Sequence, residues 1–462
     1  MRTGIELAGK RVLVVGLART GIATALFCAA RGAHVTATEE RPETQVADAA
    51  AKLRAAGCRV ELGGHREETF LAQDLIVPSP GVAPTMPHLV AARAQGIPLW
   101  SEIELAWHFL RGRLTAVTGS NGKTTTTSLI GHILEVAGIP GIVAGNIGTP
   151  LISRVETSSD STVTVAEVSS FQLEIIESLR PHIALLLNLT PDHLDRHASF
   201  AEYGRAKARM FENQTEQDAA IINADDSVAA GLAPSGPQLF WFSRQKRVAS
   251  GAFVRGEQIV FRRDGSETVL LTRADVGLRG THNLENVLAA SAAALLAGAP
   301  PSAIASAVRS FAGVEHRLEF VAEIGGVSFY NDSKATNVDA TLKAVDAFSG
   351  NLVVILGGKD KGGDFTLLRE PLRQRARLVL LIGAAAEKIA GQLQGIVPVE
   401  MADTLDRAVR LAYERARPGD TVLLAPACAS FDQFENFEHR GHVFKQLVRQ
   451  LEQQAAASAQ PG

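Results

Sequence analysis

Cysteine, tyrosine and tryptophan are scarce in this chain of 462 residues, at three of each, and aromatic residues together make up only 5%. Cys28, Cys58 and Cys428 are far apart, odd in number and without metal-ligand spacing. They exclude a disulfide framework and predict thiols in a reducing compartment. Charge of one sign is lacking too. A formal net charge of -3, with no lysine or arginine block and no basic stripe studded with aromatics, excludes binding of nucleic acid by bulk charge. No apolar run reaches membrane-spanning length, and the opening "MRTGIELAGKRVLVVG" passes straight into a strand pattern without a signal-peptide core. The expectation is a cytoplasmic protein without membrane insertion. There is no repeat of fixed period, and low complexity is confined to the tail "EQQAAASAQPG", which is expected to fray.

What is present is ordinary for a soluble α/β protein: 46% apolar and 21% charged residues. The length exceeds what one core serves, and roughly three domains are expected. Apolar runs alternating with helical stretches predict parallel sheets buried on both faces. In the first block, "RVLVVG" is followed by "AHVTATEE" and "DLIVPSPG". Its turn "GLARTG" sets Gly16, Ala18 and Gly21 at the spacing of a dinucleotide fingerprint, with Glu39 or Glu40 where a ribose-binding acid would stand. Alanine at the middle position favours a Rossmann-like unit without a redox cofactor. The second block offers "RLTAV", "TVTVAEVSS", "IALLLNLT" and "AAIINADD", and the third offers "NLVVILGG", "RLVLLIG" and "DTVLLAPA". The fold class is thus α/β in three domains: an N-terminal Rossmann-like domain over 1–101, a central P-loop ATPase-like domain with a mainly parallel sheet over 102–313, and a C-terminal Rossmann-like domain over 314–462.

The chemistry concentrates after the strand candidates. In "TAVTGSNGKTTTTSL", Gly119, Gly122, Lys123 and Thr124 lie between a strand and a helix whose Leu129, Ile130, Ile133, Leu134 and Ala137 fall at helical spacing. Such a loop offers backbone N–H donors, an ammonium for phosphates and a hydroxyl for Mg²⁺ at a helix N-terminus. The usual pattern has four residues between its glycines; this one has two, and a turn with a solvated lysine is the alternative. Glu167 ends a strand candidate at the same sheet edge, and with Thr124 it suits a hard cation. Asp192, His193, Asp195 and His197 gather in the loop "NLTPDHLDRH". Ser199 and Glu202 have capping-box spacing, which puts Lys207 two turns inside a helix, where a solvated lysine is the plain reading. In the last block Asp332, Ser333, Lys334 and Thr336 crowd into "YNDSKATN", and "GGKDKGGDF" and "PACASFDQFENFEHRGHVF" also follow strand candidates.

Taken in order, these stretches resemble the Mur ligases, ATP-dependent enzymes that add amino acids to the peptidoglycan precursor. The resemblance runs through all three blocks, on "SPG" (79–81), "VTGSNGKTT", "GNIG" (145–148), "EVSSFQLE" (167–174), "DHLDRH" with "YGRAK", "HNLENVLAA", "HRLE", "NDSKATN" and the "PACASFDQF" stretch. The motifs are most similar to those of the D-glutamate-adding branch. The "SSH" and "DNPR" stretches usual in diaminopimelate- or lysine-adding relatives are absent.

The resemblance implies that ATP phosphorylates the carboxylate of UDP-N-acetylmuramoyl-L-alanine and that the amine of D-glutamate attacks the acyl phosphate. It implies ATP on Gly119, Ser120, Asn121, Gly122, Lys123, Thr124, Thr125, Asn283, Asn286, Arg317, Asp332 and Lys334. Catalysis would fall to Lys123, Glu167, His193 and Lys207, with two Mg²⁺ held by Thr124, Glu167, His193 and a Lys207 carbamylated by CO₂. D-Glutamate would meet Thr336, Lys361, Ser430 and Phe437, with Lys359 a second cation within reach of a carboxylate. The UDP-substrate would lie on Leu17, Thr20, Thr38, Gly81 and Asn146, although Ala37-Thr38-Glu39 offers no cation for the diphosphate. Partners are small molecules only, and a monomer is expected. Alternatives are a related Mur or folylpolyglutamate-type ligase taking another amino acid, and a nucleotide-binding regulator without catalysis.

Overall fold

The computed structural model describes residues 5–193, 196–278 and 280–458. The chain forms two compact units, Met1–Val276 with Glu285–Ser310, and Gly277–Leu284 with Phe311–Gly462. The first unit carries two sheets and the second carries one.

The N-terminal sheet is built from β1 (Arg11–Val15), β2 (His34–Glu39), β3 (Arg59–Leu62) and β4 (Leu75–Pro78), all parallel, in the order β3-β2-β1-β4. Val12, Leu13, Val14 and Val15 of β1 are all buried, as a continuous apolar run between two helical layers requires. The chain reverses direction across the sheet at β1, so the loops leaving β1, β2 and β4 share one carboxyl edge.

The central sheet contains β5 (Arg113–Thr118), β6 (Gly141–Gly145), β7 (Val163–Glu167), β8 (Ile183–Leu186), β9 (Ala219–Asn223), β10 (Gln238–Ser243), β11 (Gly251–Arg255), β12 (Gln258–Arg263) and β13 (Ser266–Thr272). Their order is β13-β12-β11-β10-β9-β8-β5-β7-β6. Strands β5 to β11 pair in parallel, and β5 sits between β7 and β8 at the switch point where the strand order reverses. Ligands of open α/β sheets bind at the carboxyl ends of such strands. The expected alternation with helices stops at β10. From β11 the strands are antiparallel, and the β12–β13 turn is Asp264-Gly265 with φ of 52° and 77°, the primed turn that an Asp-Gly pair favours.

The second unit holds β14 (Glu319–Ile324), β15 (Val327–Asn331), β16 (Leu352–Gly357), β17 (Ala376–Ile382), β18 (Val399–Asp403) and β19 (Thr421–Leu424), in the order β14-β15-β19-β16-β17-β18. The three predicted runs are β16, β17 and β19. Strand β15 contains the short "VSFY" run, while its partner β14 and the edge strand β18 lie outside the prediction, because exposed residues break their apolar runs. Neighbours β15, β19 and β16 send out the "NDSKATN", "PACASF" and "GGKDK" loops at one edge. The tail is less frayed than expected. Helix Phe437–Ser458 takes in most of it.

Candidate active site

The loop after β5 is shaped by its glycines. Gly119 has φ of 150°, and a Cβ there would lie 3.0 Å from the Leu187 side chain. Gly122 has φ of 84° and caps helix Lys123–Val136, where a Cβ would fall 2.2 Å from Asn286 Oδ1. Glycine is therefore required at 122 for both conformation and space. The helix buries the predicted face, with Leu129, Ile130, Ile133 and Leu134 fully covered.

Side chains from β8 and the following segments brace the loop. Asn121 N–H donates to Asn188 Oδ1 (2.8 Å), and Asn188 Nδ2 donates back to Asn121 O (2.9 Å). Ser120 Oγ donates to Thr190 O and lies 3.1 Å from the Tyr203 hydroxyl. Thr125 is buried, and Thr126 Oγ1 donates to Asn286 Oδ1 at 3.4 Å. Asn188 had no place among the sequence candidates, although it directly follows the apolar run of β8.

Lys123 Nζ folds back to donate to the carbonyl oxygens of Gly119 and Ser120, each at 2.9 Å. Thr124 Oγ1 donates to Glu167 Oε2 (2.7 Å), and Asn146 Nδ2 donates to Glu167 Oε1 (2.9 Å). Thr124, Asn146 and Glu167 thus meet at the carboxyl ends of β5, β6 and β7, and their oxygen donors suit a hard cation. Asn146 stands on this carboxylate rather than with the N-terminal candidates.

Lys207 is not a solvated lysine. It lies on helix Phe200–Ala208, is 2% exposed, and donates to Gly119 O at 3.0 Å with its ammonium over the Tyr203 ring. Burial first, then the neighbouring Lys123 charge, pushes its pKa well below the lysine range, against the pull of Asp192 and Glu167. The predicted cap forms in part: Ser199 Oγ accepts from Glu202 N–H, but Glu202 reaches back to Ala198 N–H rather than to Ser199.

His193 adopts φ of 54°, donates from its backbone N–H to Asp192 Oδ1, and packs its ring against Phe171. His197 is buried on Ser170 Oγ and beside Glu174, which also pairs with Arg196. Asp195 lies outside the described residues.

At the N-terminal sheet, Gly16 and Gly21 make a tight turn, since a Cβ on Gly21 would lie 1.9 Å from Gly16 O, and Ser79 of "SPG" donates to that same oxygen. Leu17 N–H donates to Glu39 Oε2. Thr20 lies in the first turn of helix Arg19–Ala29, Thr38 is fully buried near the end of β2, and Gly81 follows β4 exposed. A cation, Arg41, stands two residues beyond Ala37-Thr38-Glu39. Arg41 pairs with Glu39 through both Nε and Nη2, holding that carboxyl at about 2, and Thr38 Oγ1 lies 2.8 Å from His65 Nδ1. Neither Arg41 nor His65 was a sequence candidate, because both lie beyond the strand.

The second unit carries its own cluster. Asp332 is buried at the end of β15, and burial pushes its carboxyl up to about 7 against the opposing charge of Arg317. Lys334 Nζ sits 3.7 Å from the centre of the Phe437 ring, a cation–π contact. Thr336 N–H turns back to Lys334 O, and Ser430 is buried. Lys359 and Ala429 exchange both backbone hydrogen bonds, which ties "GGKDK" to "PACASF"; the Lys359 and Lys361 side chains are exposed. Arg440, unmarked in the sequence, is fully buried and clamps the "NDSKATN" and "PACAS" loops through Ser333 Oγ, Ser333 O and Cys428 O. Asn283 belongs to this unit and is buried, while Asn286, on the same helix, belongs to the first.

Three family models match: the Mur ligase MurD-like N-terminal domain over residues 10–101, the Mur ligase middle domain over 117–294, and the Mur ligase glutamate ligase domain over 316–428. The chain belongs to the Mur ligase family. Among its relatives is the UDP-N-acetylmuramoylalanine--D-glutamate ligase of Koribacter versatilis, 52% identical over 97% of this chain and 99% of the relative. The protein of the same name from Acidobacterium capsulatum is 55% identical over 96% and 97%. Among solved structures, a pseudomurein peptide ligase type C from Methanothermus fervidus matches with a TM-score of 0.61 at 18% identity, covering 96% of this chain and 100% of that one. The UDP-N-acetylmuramate-alanine ligase of Thermotoga maritima matches at 0.59 and 18% over the same shares. At that identity the likeness is one of fold: three domains with mainly parallel sheets.

Proposed function

We propose that this chain joins D-glutamate to UDP-N-acetylmuramoyl-L-alanine at the expense of ATP, in the cytoplasmic assembly of the peptidoglycan precursor. The relatives' shared name over nearly the full chain supports the reaction, and the convergence of Lys123 and Lys207 on the phosphate loop beside Thr124 and Glu167 carries it. We take the domains as 1–101 for the UDP-substrate, 102–313 for ATP and 314–462 for the amino acid. The chain is taken to act as a monomer, each proposed contact being supplied from within it.

In this reading a carboxylate oxygen of the UDP-substrate displaces ADP from the γ-phosphorus, giving an acyl phosphate. The free amine of D-glutamate, having lost a proton, then adds to the acyl carbon, and the tetrahedral adduct, after its nitrogen gives up a second proton to water, collapses to the amide with loss of phosphate. Charge builds on phosphoryl and carbonyl oxygens, so the chain contributes positioning and fixed charge rather than a covalent nucleophile. The N–H groups of 119–125 and Lys123 hold the β- and γ-phosphates, with Asn283, Asn286, Arg317, Asp332 and Lys334 on the rest of the nucleotide. Thr124 and Glu167 would hold one Mg²⁺, and His193 and Lys207 a second; when bound, the ions neutralise phosphate charge. The depressed pKa of Lys207 favours the neutral amine that carbamylation needs. Leu17, Thr20, Thr38 and Gly81 receive the uridine diphosphate, Asn146 orients the substrate beside Glu167, and Thr336, Lys361, Ser430 and Phe437 receive D-glutamate.

The test is phosphate release from Mg-ATP and UDP-N-acetylmuramoyl-L-alanine with D-glutamate, L-glutamate, L-lysine or meso-diaminopimelate. Release with D-glutamate alone is expected. Silence with all four, despite ATP binding, would replace this reading with that of a non-catalytic regulator.

A further inference from the structure

Helix Glu102–Phe109 carries two acids two residues apart, Glu102 and Glu104, both buried to 1% exposure or less. Their surroundings differ. Glu104 accepts from the backbone N–H groups of Glu177, Ser178 and Leu179, and it faces His108. Burial pushes its pKa up, but these donors prevail and hold it below the ordinary range. Glu102 has no such set. Its Oε1 accepts from Ile152 N–H at 2.7 Å, while its Oε2 is buried without a hydrogen-bond partner. Burial pushes its pKa up to about 7, drawn back by Ile152, the Gln172 side chain and Leu151.

An incompletely satisfied buried carboxyl costs stability, and an apolar residue of the same size would serve the helix better. What Glu102 touches explains its presence. Ile152 follows the turn that carries Asn146, whose N–H donates to Glu167 O and whose Nδ2 donates to Glu167 Oε1. Gln172 lies on the short helix Ser170–Leu173 just after Glu167, and its Oε1 accepts from Ser169 N–H and Oγ–H. The carboxyl is thereby hydrogen-bonded to the segment that follows the Asn146 turn, and it lies close enough to the Gln172 side chain to be drawn down by it.

We infer that Glu102 is a positioning residue for the nucleotide-bound cation, fixing the Asn146 turn and the Ser169–Gln172 cap so that Glu167 faces Thr124. This rests on the proposed reaction and deepens it. The test compares Glu102→Leu, which keeps the volume and removes the acceptor, with Glu102→Gln, which keeps the acceptor for Ile152. Mn²⁺ affinity in the presence of ADP is read by electron paramagnetic resonance, beside thermal midpoints and the Mg²⁺ dependence of D-glutamate-dependent phosphate release.

Glu102→Leu is expected to weaken Mn²⁺ binding and raise the half-saturating Mg²⁺ by about tenfold, with KM for D-glutamate unmoved, as loss of a partner behind a metal ligand does. Glu102→Gln is expected to recover most of the loss. A folded Glu102→Leu protein with parental Mn²⁺ affinity overturns the inference, as does equal impairment of both variants. If Glu102→Leu does not fold, Gln172→Ala decides: weaker Mn²⁺ binding supports the inference and unchanged binding overturns it. A parent that binds Mn²⁺-ADP yet releases no phosphate with D-glutamate defeats the reaction reading instead, and the Mn²⁺ comparison still decides the role of Glu102.

Discussion

Lys207 and Lys123 donate to the same acceptor, the carbonyl oxygen of Gly119, at 3.0 and 2.9 Å. Burial, and then the nearby Lys123 charge, depresses the pKa of Lys207. The pair is thus poised rather than settled. A neutral Lys207 amine is nucleophilic toward CO₂, and the carbamate that would result turns a repulsive pair into an attractive one beside the phosphate loop.

Lys207→Met keeps most of the side-chain volume and removes the buried charge. Its thermal midpoint is expected to equal or exceed that of the parent, because burying an amine that is driven toward its neutral form costs stability. Its ligase rate is expected to fall by at least about a hundredfold, the scale for losing an electrostatic contributor in a closed site. A ¹³C-bicarbonate experiment adds the direct readout: a carbamate resonance in the parent, none in the variant. Full activity in Lys207→Met would dismiss the role altogether.

Gly122→Ala tests the loop without touching a charge. The φ of 84° costs an alanine about 1–2 kcal/mol, and the new Cβ also meets Asn286 Oδ1. We expect a melting point lower by several degrees and an ATP KM raised by about tenfold or more, with the KM for D-glutamate little changed. Calorimetry with ADP should show the same loss in binding, and unaltered ADP affinity would mean that the loop does not hold phosphate.

Asp332 gives a pH-dependent prediction. Its folded pKa of about 7 lies above the unfolded value of about 4, so the native state binds the proton more tightly. Stability from this group is full below pH 4, declines as pH rises toward 7, and stays at its lowest above that. Asp332→Asn removes the penalty. The variant should gain on the parent by up to a few kcal/mol at pH 8 and by little at pH 4 in urea unfolding curves. Parallel curves across that range would show that the carboxyl is not held protonated.

The sequence made the strands legible where both faces are buried, since β1, β8, β16 and β19 read as apolar runs. Strands β12 and β13 were passed over because their arginines and acids interrupt the run, although Asp264-Gly265 marked the turn between them. The residues of the phosphate loop, Thr124 and Glu167 were legible because each directly follows or ends a strand. Arg41, His65 and Asn188 were not, because their neighbours come together only when separate loops meet at a sheet edge. The burial of Lys207 also escaped the sequence: its helix shows a polar pattern, and only the packing on Gly119 and Tyr203 reveals that this face points inward.

Glu167→Gln separates charge from geometry at the proposed cation site. The amide oxygen keeps an acceptor for one of the donors now on Glu167, Asn146 Nδ2 or Thr124 Oγ1, so the fold around β7 is expected to hold and the thermal midpoint to move little. What is lost is the negative charge that a hard divalent ion prefers in its shell. The expected result is a kcat lower by about a hundredfold and a half-saturating Mg²⁺ raised by about tenfold, with ATP binding in the absence of metal left intact. Metal-free ATP binding distinguishes this from damage to the phosphate loop, which would weaken both. A variant with parental Mg²⁺ dependence would remove Glu167 from the cation site and leave it as a hydrogen-bond hub between β6 and the helix that begins at Lys123.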